Sequence, residues 1–170
     1  MDIKELFLKQ KEAIRKRTRQ VVQMVRSDQL GWRPEKDALS IGEMLRHLWM
    51  SEEGVRRAAV ESNFAYYEAR IPQGLRAVLG TAGSLEEEAQ NLERVHSETL
   101  ALVEAFPVER FEEERTHEGL GFRQRVYAIL FGIVTHEAHH RAQLITYLRI
   151  LGTTMPEPSF RLPTAGRPLK

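Results

Sequence analysis

Apolar residues return every three or four positions along four long segments of the chain, which is the spacing of one face of an α-helix. These segments span roughly residues 3–25, 40–60, 84–105 and 121–151. Amphipathic helices bury their apolar faces against one another, because an unpaired face would remain in water. The pattern therefore predicts an all-α fold, a four-helix bundle.

Polar residues and a glycine mark where the helices begin and end. The second helix begins at a capping box in which Ser40 is followed three residues later by Glu43, and the third begins at the same arrangement of Ser84 and Glu87. Gly152 stands where a glycine commonly ends a helix. These signals predict the starts of the second and third helices and the end of the fourth.

The remaining segments are charged or rich in proline. Residues 108–119 hold many charges, and we expect a loop or a short hairpin arm there. Residues 153–170 hold four of the seven prolines of the chain, which excludes a regular helix. We expect this tail to be extended along the bundle or disordered. The helical domain would then span residues 1–152, with the tail as a part of it or as a disordered end.

The composition is that of a globular domain in a reducing compartment. Of the 170 residues, 42% are hydrophobic and 29% are charged, with 25 Lys+Arg against 24 Asp+Glu. A net charge of +1 gives no basis for binding nucleic acid, and no apolar run is long enough to span a membrane. The absence of cysteine excludes disulfides and thiolate metal ligands. The first residues lack the apolar core of a signal peptide, so we expect a cytoplasmic protein.

Three of the six histidines lie close together in the fourth helix, at His136, His139 and His140. Successive helical residues turn by about 100°, so His136 and His140 lie about 40° apart on one side of the helix. This spacing lets two imidazoles reach one metal ion. A further histidine, His47, lies at the margin of the apolar stripe of the second helix, where grooves between helices form. Three histidines without an evident fourth ligand are typical of an open metal site, which leaves room for water or substrate.

Other residues near this cluster are candidates for supporting roles. His139 turns away from the apolar stripe, so we expect it to support the ligands, to lie at an interface or to be exposed. Glu137 and Arg141 stand four residues apart, glutamate first, which is the favourable order for an ion pair. We interpret them as a structural pair closing one end of the bundle; alternatively, Glu137 orients an imidazole. Gln143 and Trp32 are further candidates to contact the ligands or the cleft, although Trp32 fits a packing role better.

The segment from His136 to His140 also matches H-E-x-x-H, the signature of zinc proteases. A protease of this kind needs a third ligand, and the proline-rich tail offers only Glu157 as an acidic residue. The protease is therefore the weaker interpretation. A single histidine at a helix margin is more often a partly buried side chain with a polar neighbour. Because His96 and His117 have no partner at ligand spacing, we expect both to be ordinary surface residues.

Four segments carry the clearest motifs of the chain. They read W-R-P at 32–34, S-I-G-E-M-L-R-H-L at 40–48, H-E-A-H-H-R-A-Q-L at 136–144 and L-R-I-L-G at 148–152. With these motifs the chain resembles the DinB-like, YfiT-like family of metal-binding four-helix proteins, over roughly residues 3–152. The most specific match is to the family pattern H-x-x-x-H-R-(G/A)-Q, in which Ala142 replaces the more frequent glycine.

The resemblance implies a bundle with long crossover connections and a divalent metal held by His47, His136 and His140. Zinc or nickel is the usual metal in the family. Some relatives are transferases that use low-molecular-weight thiols such as bacillithiol, others are isomerases that use mycothiol, and many have no established reaction. Homodimers are common among them, so the resemblance also predicts a homodimer.

We therefore expect a metal-dependent enzyme that transfers a low-molecular-weight thiol to an electrophilic small molecule, although the sequence identifies no catalytic side chain. Metal-assisted hydrolysis is the alternative reaction, because an open metal site activates water as well as thiols. Two interpretations without catalysis also remain. One is a binding or stress-associated module, in which the metal is structural or the pocket holds a ligand, and the other is a helix-pairing interaction protein with incidental histidines.

Overall fold

The computed structural model describes residues 1–154, and within them four long helices form a bundle. The long helices are Ile3–Val22 (α1), Ile41–Glu61 (α2), Leu85–Ala105 (α5) and Val126–Ile150 (α6), and two short ones, Ala65–Gln73 (α3) and Leu75–Leu79 (α4), connect α2 to α5. The strands Glu114–His117 (β1) and Phe122–Arg125 (β2) pair in one hairpin between α5 and α6. The predicted four-helix bundle is therefore confirmed.

Both predicted capping boxes are present at the starts of α2 and α5. The Oγ of Ser40 accepts a hydrogen bond from the backbone N–H of Glu43, and the Glu43 carboxylate accepts one from the Ser40 N–H at 2.7 Å. Ser84 and Glu87 repeat this reciprocal arrangement. Each box satisfies backbone donors that the first turn of a helix leaves unpaired. Helices α2 and α5 therefore begin where the sequence predicts.

Two of the expected helix bounds differ from the structure. The first helix ends at Val22 rather than near residue 25, and the last begins at Val126 rather than near residue 121. Residues 122–125 are extended because they pair with β1, so tertiary pairing overrides their helical propensity. At the other end of α6, Gly152 takes φ 79°, and the N–H of Thr153 donates to the carbonyl of Leu148 at 2.9 Å. The glycine predicted to end this helix therefore does so.

Consecutive helices do not simply pack side by side. Helix α1 packs mainly against α5 and α6, and so does α2, so that α1 and α2 occupy opposite corners of the bundle. The connection between them, residues 23–40, therefore crosses one end of the bundle, and residues 106–125 cross from α5 to α6 in the same way. The long crossover connections implied by the family resemblance are confirmed.

The hairpin lies further along the chain than the predicted arm at 108–119. Residues 108–112 form a 3₁₀ turn, and the strands pair Glu114 with Arg125 and His117 with Phe122. Gly121 takes φ 59° at the turn, a conformation that glycine adopts without steric cost. The buried guanidinium of Arg115 donates to the carbonyl of Ala59, which fixes the hairpin to the end of α2.

A layer of buried polar side chains separates two apolar clusters in the core. One cluster contains Val21 and Leu144 and the other contains Phe7 and Ile133. The polar belt between them consists of Lys11, Arg15, Thr18, Ser51, Glu52, His96, Thr99 and Glu137, all of them buried. Buried polar groups are costly unless they are paired, so this belt requires partners across the helices.

The predicted proline-rich tail lies outside the described residues, except for Thr153 and Thr154. Among residues 1–154, no helix combines the length and the apolar character that crossing a membrane requires.

Candidate metal centre

Three histidine side chains converge between α2 and α6. The Nε2 of His136 lies 3.0 Å from Nε2 of His47 and 3.1 Å from Nε2 of His140. His47 is 2% exposed, and the other two are half-buried. His47, at the margin of the apolar stripe of α2, thus faces the two histidines of α6 across the groove between the helices. The structure brings together all three of the residues that the sequence singles out as ligands.

The spacing of these nitrogens suits a single metal ion. A tetrahedral zinc ion binds imidazole nitrogens at about 2.0–2.1 Å, which places neighbouring ligand nitrogens about 3.3 Å apart. The two separations in the structure, 3.0 and 3.1 Å, are close to this value, and all ligand atoms of the group lie within 4.8 Å of one another.

Hydrogen bonds at the far side of two rings favour bare Nε2 atoms. The Nδ1 of His140 lies 2.7 Å from Oε1 of Gln143, an oxygen that only accepts, so this Nδ1 carries the proton. The Nδ1 of His47 lies 2.9 Å from Oγ of Ser51, which in turn lies 3.0 Å from the hydroxyl of Tyr66. When Nδ1 of His47 donates to Ser51, its Nε2 is unprotonated. Outer contacts of this kind orient metal-binding imidazoles.

The convergence leaves more lone pairs than protons at the centre. With Nδ1 protonated in His47 and His140, both of their Nε2 atoms are acceptors, and a proton on Nε2 of His136 can be donated fully to only one of them. A cation at the centre would satisfy all three nitrogens together. Three neutral imidazoles suit a divalent ion such as zinc, nickel or copper, so the residues present fit such an ion.

Burial keeps the three imidazoles neutral near pH 7. It lowers the pKa of His47 to about 3, with further lowering from the nearby His136, His140 and Arg70. Burial likewise lowers the pKa of His136 to about 4 and lowers the pKa of His140. Neutral imidazole is the form that binds metal, so protons compete weakly for this site at neutral pH.

Glu137 does not pair with Arg141, and this prediction was wrong. Its buried carboxylate, 2% exposed, accepts from Nζ of Lys11 at 2.8 Å, and Nε of Arg15 lies 3.2 Å away. Burial raises the pKa of Glu137, but the charges of Lys11 and Arg15 outweigh this and lower it. A carboxylate in the interior needs buried cations, and α1 supplies them. Because the side chain contacts α1, it does not orient an imidazole either.

Glu52 completes a buried network of four charges in the polar belt. Its Oε2 lies 3.0 Å from Nζ of Lys11 and 2.6 Å from Nη2 of Arg15. With Glu137 the network holds two cations and two carboxylates, and it ties α1 to both α2 and α6. Glu52 directly follows Ser51, and Glu137 directly follows His136. The network therefore holds in place the helical turns that carry the histidine cluster.

This network was not predicted from the sequence, although α1 carries a signal of it. Phe7, Ile14 and Val21 recur every seven residues as core positions, and Lys11 and Thr18 occupy the alternate core positions between them. A lysine and a threonine at core spacing indicate a buried polar partner. Their partners come from α6 and α2, which local spacing does not reveal.

The other predicted supporting residues take different places. His139 is exposed, with its ring centroid 4.9 Å from that of His140. Trp32 packs edge-on against Tyr147 at 5.3 Å, as its packing interpretation predicts. Arg141 is half-buried, and its Nη1 has no hydrogen-bond partner among residues 1–154. Of the supporting candidates, Gln143 is the one that contacts a ring of the cluster through a hydrogen bond.

His96 and His117 are not the ordinary surface residues that we expected. His96 is 2% exposed, and its Nε2 lies 2.9 Å from a carboxylate oxygen of Glu12. His117 is half-buried, lies 2.9 Å from Glu68 and accepts a hydrogen bond from the backbone N–H of Leu120. Both find partners on other elements, 84 and 49 residues away, which spacing along one helix cannot show.

A cleft of about 350 Å³ adjoins the histidine cluster, with Ser51 and His136 among the residues that line it. Helix α3, the hairpin and the first turns of α6 form its other walls. The aromatic side chains of Tyr66, Tyr67 and Phe122 line one part, and Arg70 provides the single formal charge among the described lining residues. A small molecule in this cleft would therefore lie against His136.

Comparisons with known proteins agree with this fold. The family model of the DinB superfamily matches residues 10–144. The DinB-like protein YjoA from Bacillus subtilis has a similar structure, with a TM-score of 0.69 at 20% identity over 88% of this chain and 93% of that one. YfiT from Bacillus subtilis, described as a probable metal-dependent hydrolase with an unusual four-helix bundle topology, has a TM-score of 0.67 at 16% identity over 89% of each chain. No curated protein sequence matches the chain.

Proposed function

This chain belongs to the DinB superfamily, and from that premise we propose that it is a metal-dependent enzyme that transfers a small thiol to an electrophilic small molecule. The observation that supports the proposal is the convergence of three Nε2 atoms, at 3.0 and 3.1 Å, beside an open cleft. A structural site would be closed by a fourth protein ligand, whereas the cluster within the described residues has three histidines and no further ligand.

His47, His136 and His140 would hold the metal through their Nε2 atoms. When bound there, a divalent ion lowers the pKa of a thiol or water that shares it, so that a nucleophile is available near neutral pH. Ser51 and Gln143 hold two of the rings by their Nδ1 atoms and so keep the nitrogens aimed at one point. We propose zinc or nickel as the ion, since both accept imidazole ligands.

The cleft walls position the electrophile. Tyr67 and Phe122 stack with their ring centroids 6.3 Å apart and offer an apolar surface for its body. In the chemical step the thiolate sulfur attacks an electrophilic carbon. The new sulfur–carbon bond forms as the bond to the leaving group breaks, and the leaving group departs with the bonding electron pair. The proton of the thiol passes to solvent.

The lining of the cleft favours a thiol over water as the nucleophile. The described lining residues include no carboxylate, the usual general base in metal-dependent hydrolysis. A thiol has an ordinary pKa of about 8.5 and ionises on a metal without such a base, whereas water needs far more help. The nucleophile that requires least from these side chains is therefore a small thiol.

Hydrolysis is the second candidate, because YfiT is described as a probable metal-dependent hydrolase. The same histidines would serve water as well as a thiol. Tyr66 lines the cleft and has a hydroxyl that could protonate a leaving group. The homodimer that the resemblance implies stays a prediction.

The first experiment measures metal content in protein purified without a histidine tag. Elemental analysis should give about one divalent ion per chain in the natural protein and in His139→Ala, which removes an exposed neighbour of the cluster. The triple variant with alanine at His47, His136 and His140 should hold none. Retention of one tightly bound ion in the triple variant would end the proposal.

The second experiment distinguishes the two reactions. The metal-loaded protein is tested with small thiols plus an activated aryl halide, and separately with nitrophenyl esters in the absence of thiol. Faster thioether formation, lost in the triple variant, supports transfer. Ester hydrolysis without any thiol transfer would replace the first candidate with the second.

A further inference from the structure

We infer that the cleft beside the histidine cluster selects small molecules that carry an anionic group on an apolar or aromatic body, and that Arg70 binds the anion. The inference rests on the proposed function, since it names the substrate class of the same site. The juxtaposition that carries it is one unpaired guanidinium facing the same cavity as His136.

The pairing state of Arg70 differs from that of its neighbours. Arg57 pairs with Glu53 at 2.7 Å, and Arg76 donates to the carbonyl of Lys36 at 2.9 Å. Arg70 is half-buried, yet within residues 1–154 its guanidinium has no carboxylate or carbonyl partner. A half-buried guanidinium retains five N–H donors in a planar fork, which matches a carboxylate or phosphate in two parallel hydrogen bonds.

The rest of the cleft lining supplies no competing charge. Tyr66 and Tyr67 pack edge to face with centroids 5.5 Å apart, and Phe122 continues the aromatic wall. No acidic side chain belongs to the described lining, so the field inside the cavity is set by Arg70. An anionic group on a small molecule would therefore be attracted to the guanidinium of Arg70.

Small residues keep the path between the charge and the histidines open. Gly132 precedes His136 by one helical turn, and a side chain built on Gly132 would meet nothing within 4 Å. Ala128 lies one turn earlier and also lines the cleft. A ring could lie over these two residues with its anionic group at Arg70 and its reacting end at His136. The cavity of about 350 Å³ accepts a molecule of this size.

The test measures binding on the metal-free protein, so it does not depend on catalysis. Benzoate, phenyl phosphate and the neutral isostere benzamide are titrated while protein NMR signals are followed. We expect the tighter of the two anions to bind at least about tenfold more tightly than benzamide, since a charge-assisted pair is lost in the amide. Comparing benzoate with phenyl phosphate shows which anion chemistry fits.

Variants assign the preference to Arg70. Arg70→Gln should remove the preference for the anions, Arg70→Lys should retain part of it, and Arg57→Gln, outside the cleft lining, should leave it unchanged. Equal binding of anions and benzamide by the natural protein, or an undiminished preference in Arg70→Gln, overturns the inference. If Arg70→Gln does not fold, Arg70→Met replaces it, and an undiminished preference for the anions in Arg70→Met overturns the inference.

Metal content separates this outcome from that of the proposed function. Arg70→Gln should hold as much metal as the natural protein, because Arg70 is not among the proposed ligands. If Arg70→Gln loses the preference for anions and keeps its metal, the result supports the inference about Arg70 and does not bear on the proposed function. A protein that binds anions through Arg70 but holds no metal would refute the proposed function while the anion site stands.

Discussion

The Oγ of Ser51 lies 2.9 Å from Nδ1 of His47, one helical turn earlier on α2, and both side chains are buried. The same Oγ lies 3.0 Å from the hydroxyl of Tyr66, which lines the cleft. The ring of His47 is therefore linked to the wall of the cleft through Ser51. Removing the hydroxyl of Ser51 would therefore break a contact to the histidine cluster and a contact to the cleft wall at once.

Ser51→Ala should weaken metal binding about 10- to 100-fold, the usual cost of losing an outer contact of a ligand histidine. Ser51→Thr, which retains a hydroxyl, should lose less. Competition with a coloured chelator measures the affinity, with Ser97→Ala on the exposed face of α5 as the control. Equal affinity in Ser51→Ala and Ser97→Ala would show that the hydrogen bond does not orient His47.

Glu137→Gln should destabilise the metal-free protein by about 3–5 kcal/mol, because it leaves buried Lys11 and Arg15 with one carboxylate between them. The double variant Lys11→Met with Glu137→Leu should lose less, since it leaves Arg15 paired with Glu52. Urea unfolding measures both. As the control, Glu5→Gln breaks the exposed pair with Lys9 and should cost less than about 1 kcal/mol. A double variant less stable than Glu137→Gln would contradict this account of the network.

The stability of the metal-free protein should fall as pH falls from about 7 toward 4. Unfolded histidine takes up a proton near pH 6.5, whereas burial holds the pKa of His47 at about 3 and that of His136 at about 4. Within this window each such histidine makes stability drop by up to about 1.4 kcal/mol per pH unit. Urea unfolding with a chelator present, at pH 7, 6 and 5, gives the slope. His47→Gln should lower the slope, and an unchanged slope in this variant would contradict the assignment to His47.

Zinc or nickel should raise the thermal midpoint of the natural protein. A metal present at 100 times its dissociation constant stabilises the folded state by about 2.7 kcal/mol, which corresponds to about 5–10 °C for a chain of this size. Magnesium, which prefers oxygen ligands, should have little effect. Differential scanning calorimetry measures the midpoint. A rise of similar size in the triple alanine variant would place the metal elsewhere.

Gly54→Ala should destabilise the protein by about 1–3 kcal/mol, because the added methyl group would overlap the ring of Tyr66. Gly132→Ala is the matched control, since its methyl group would meet nothing within 4 Å. That change should stabilise helix α6 by about 0.5–1 kcal/mol, the difference in helix propensity. Similar effects of the two substitutions on urea unfolding would contradict the crowding at Gly54.

The helices and the histidine cluster were accessible to sequence reasoning because their signals are local. Ser40 and Ser84 mark helix starts through residues three positions away. His136 and His140 share a side of one helix, and the margin position of His47 follows from the apolar stripe of its own helix. Each of these inferences needs only the period of an α-helix.

The partners of buried charges were not accessible, because they depend on how the helices are rotated against one another. Glu137 reaches α1 rather than Arg141, although the spacing along α6 favours the latter. His96 finds Glu12 from 84 positions away in the same manner. The hairpin was predicted too close to the N-terminus, at residues 108–119. Residues Phe122–Arg125 are extended because they pair with β1, and the period of a helix carries no information about such pairing.

If the three histidines hold a metal ion as proposed, the 89 positions that separate His47 from His136 set the point in synthesis at which all three ligands can meet. During synthesis α2 leaves the ribosome long before α6, and His136 with His140 alone offers two ligands rather than three. Capture by all three histidines therefore requires that the two helices have docked. A chain that ends before α6 would offer His47 alone, so only the completed bundle would present the whole proposed site.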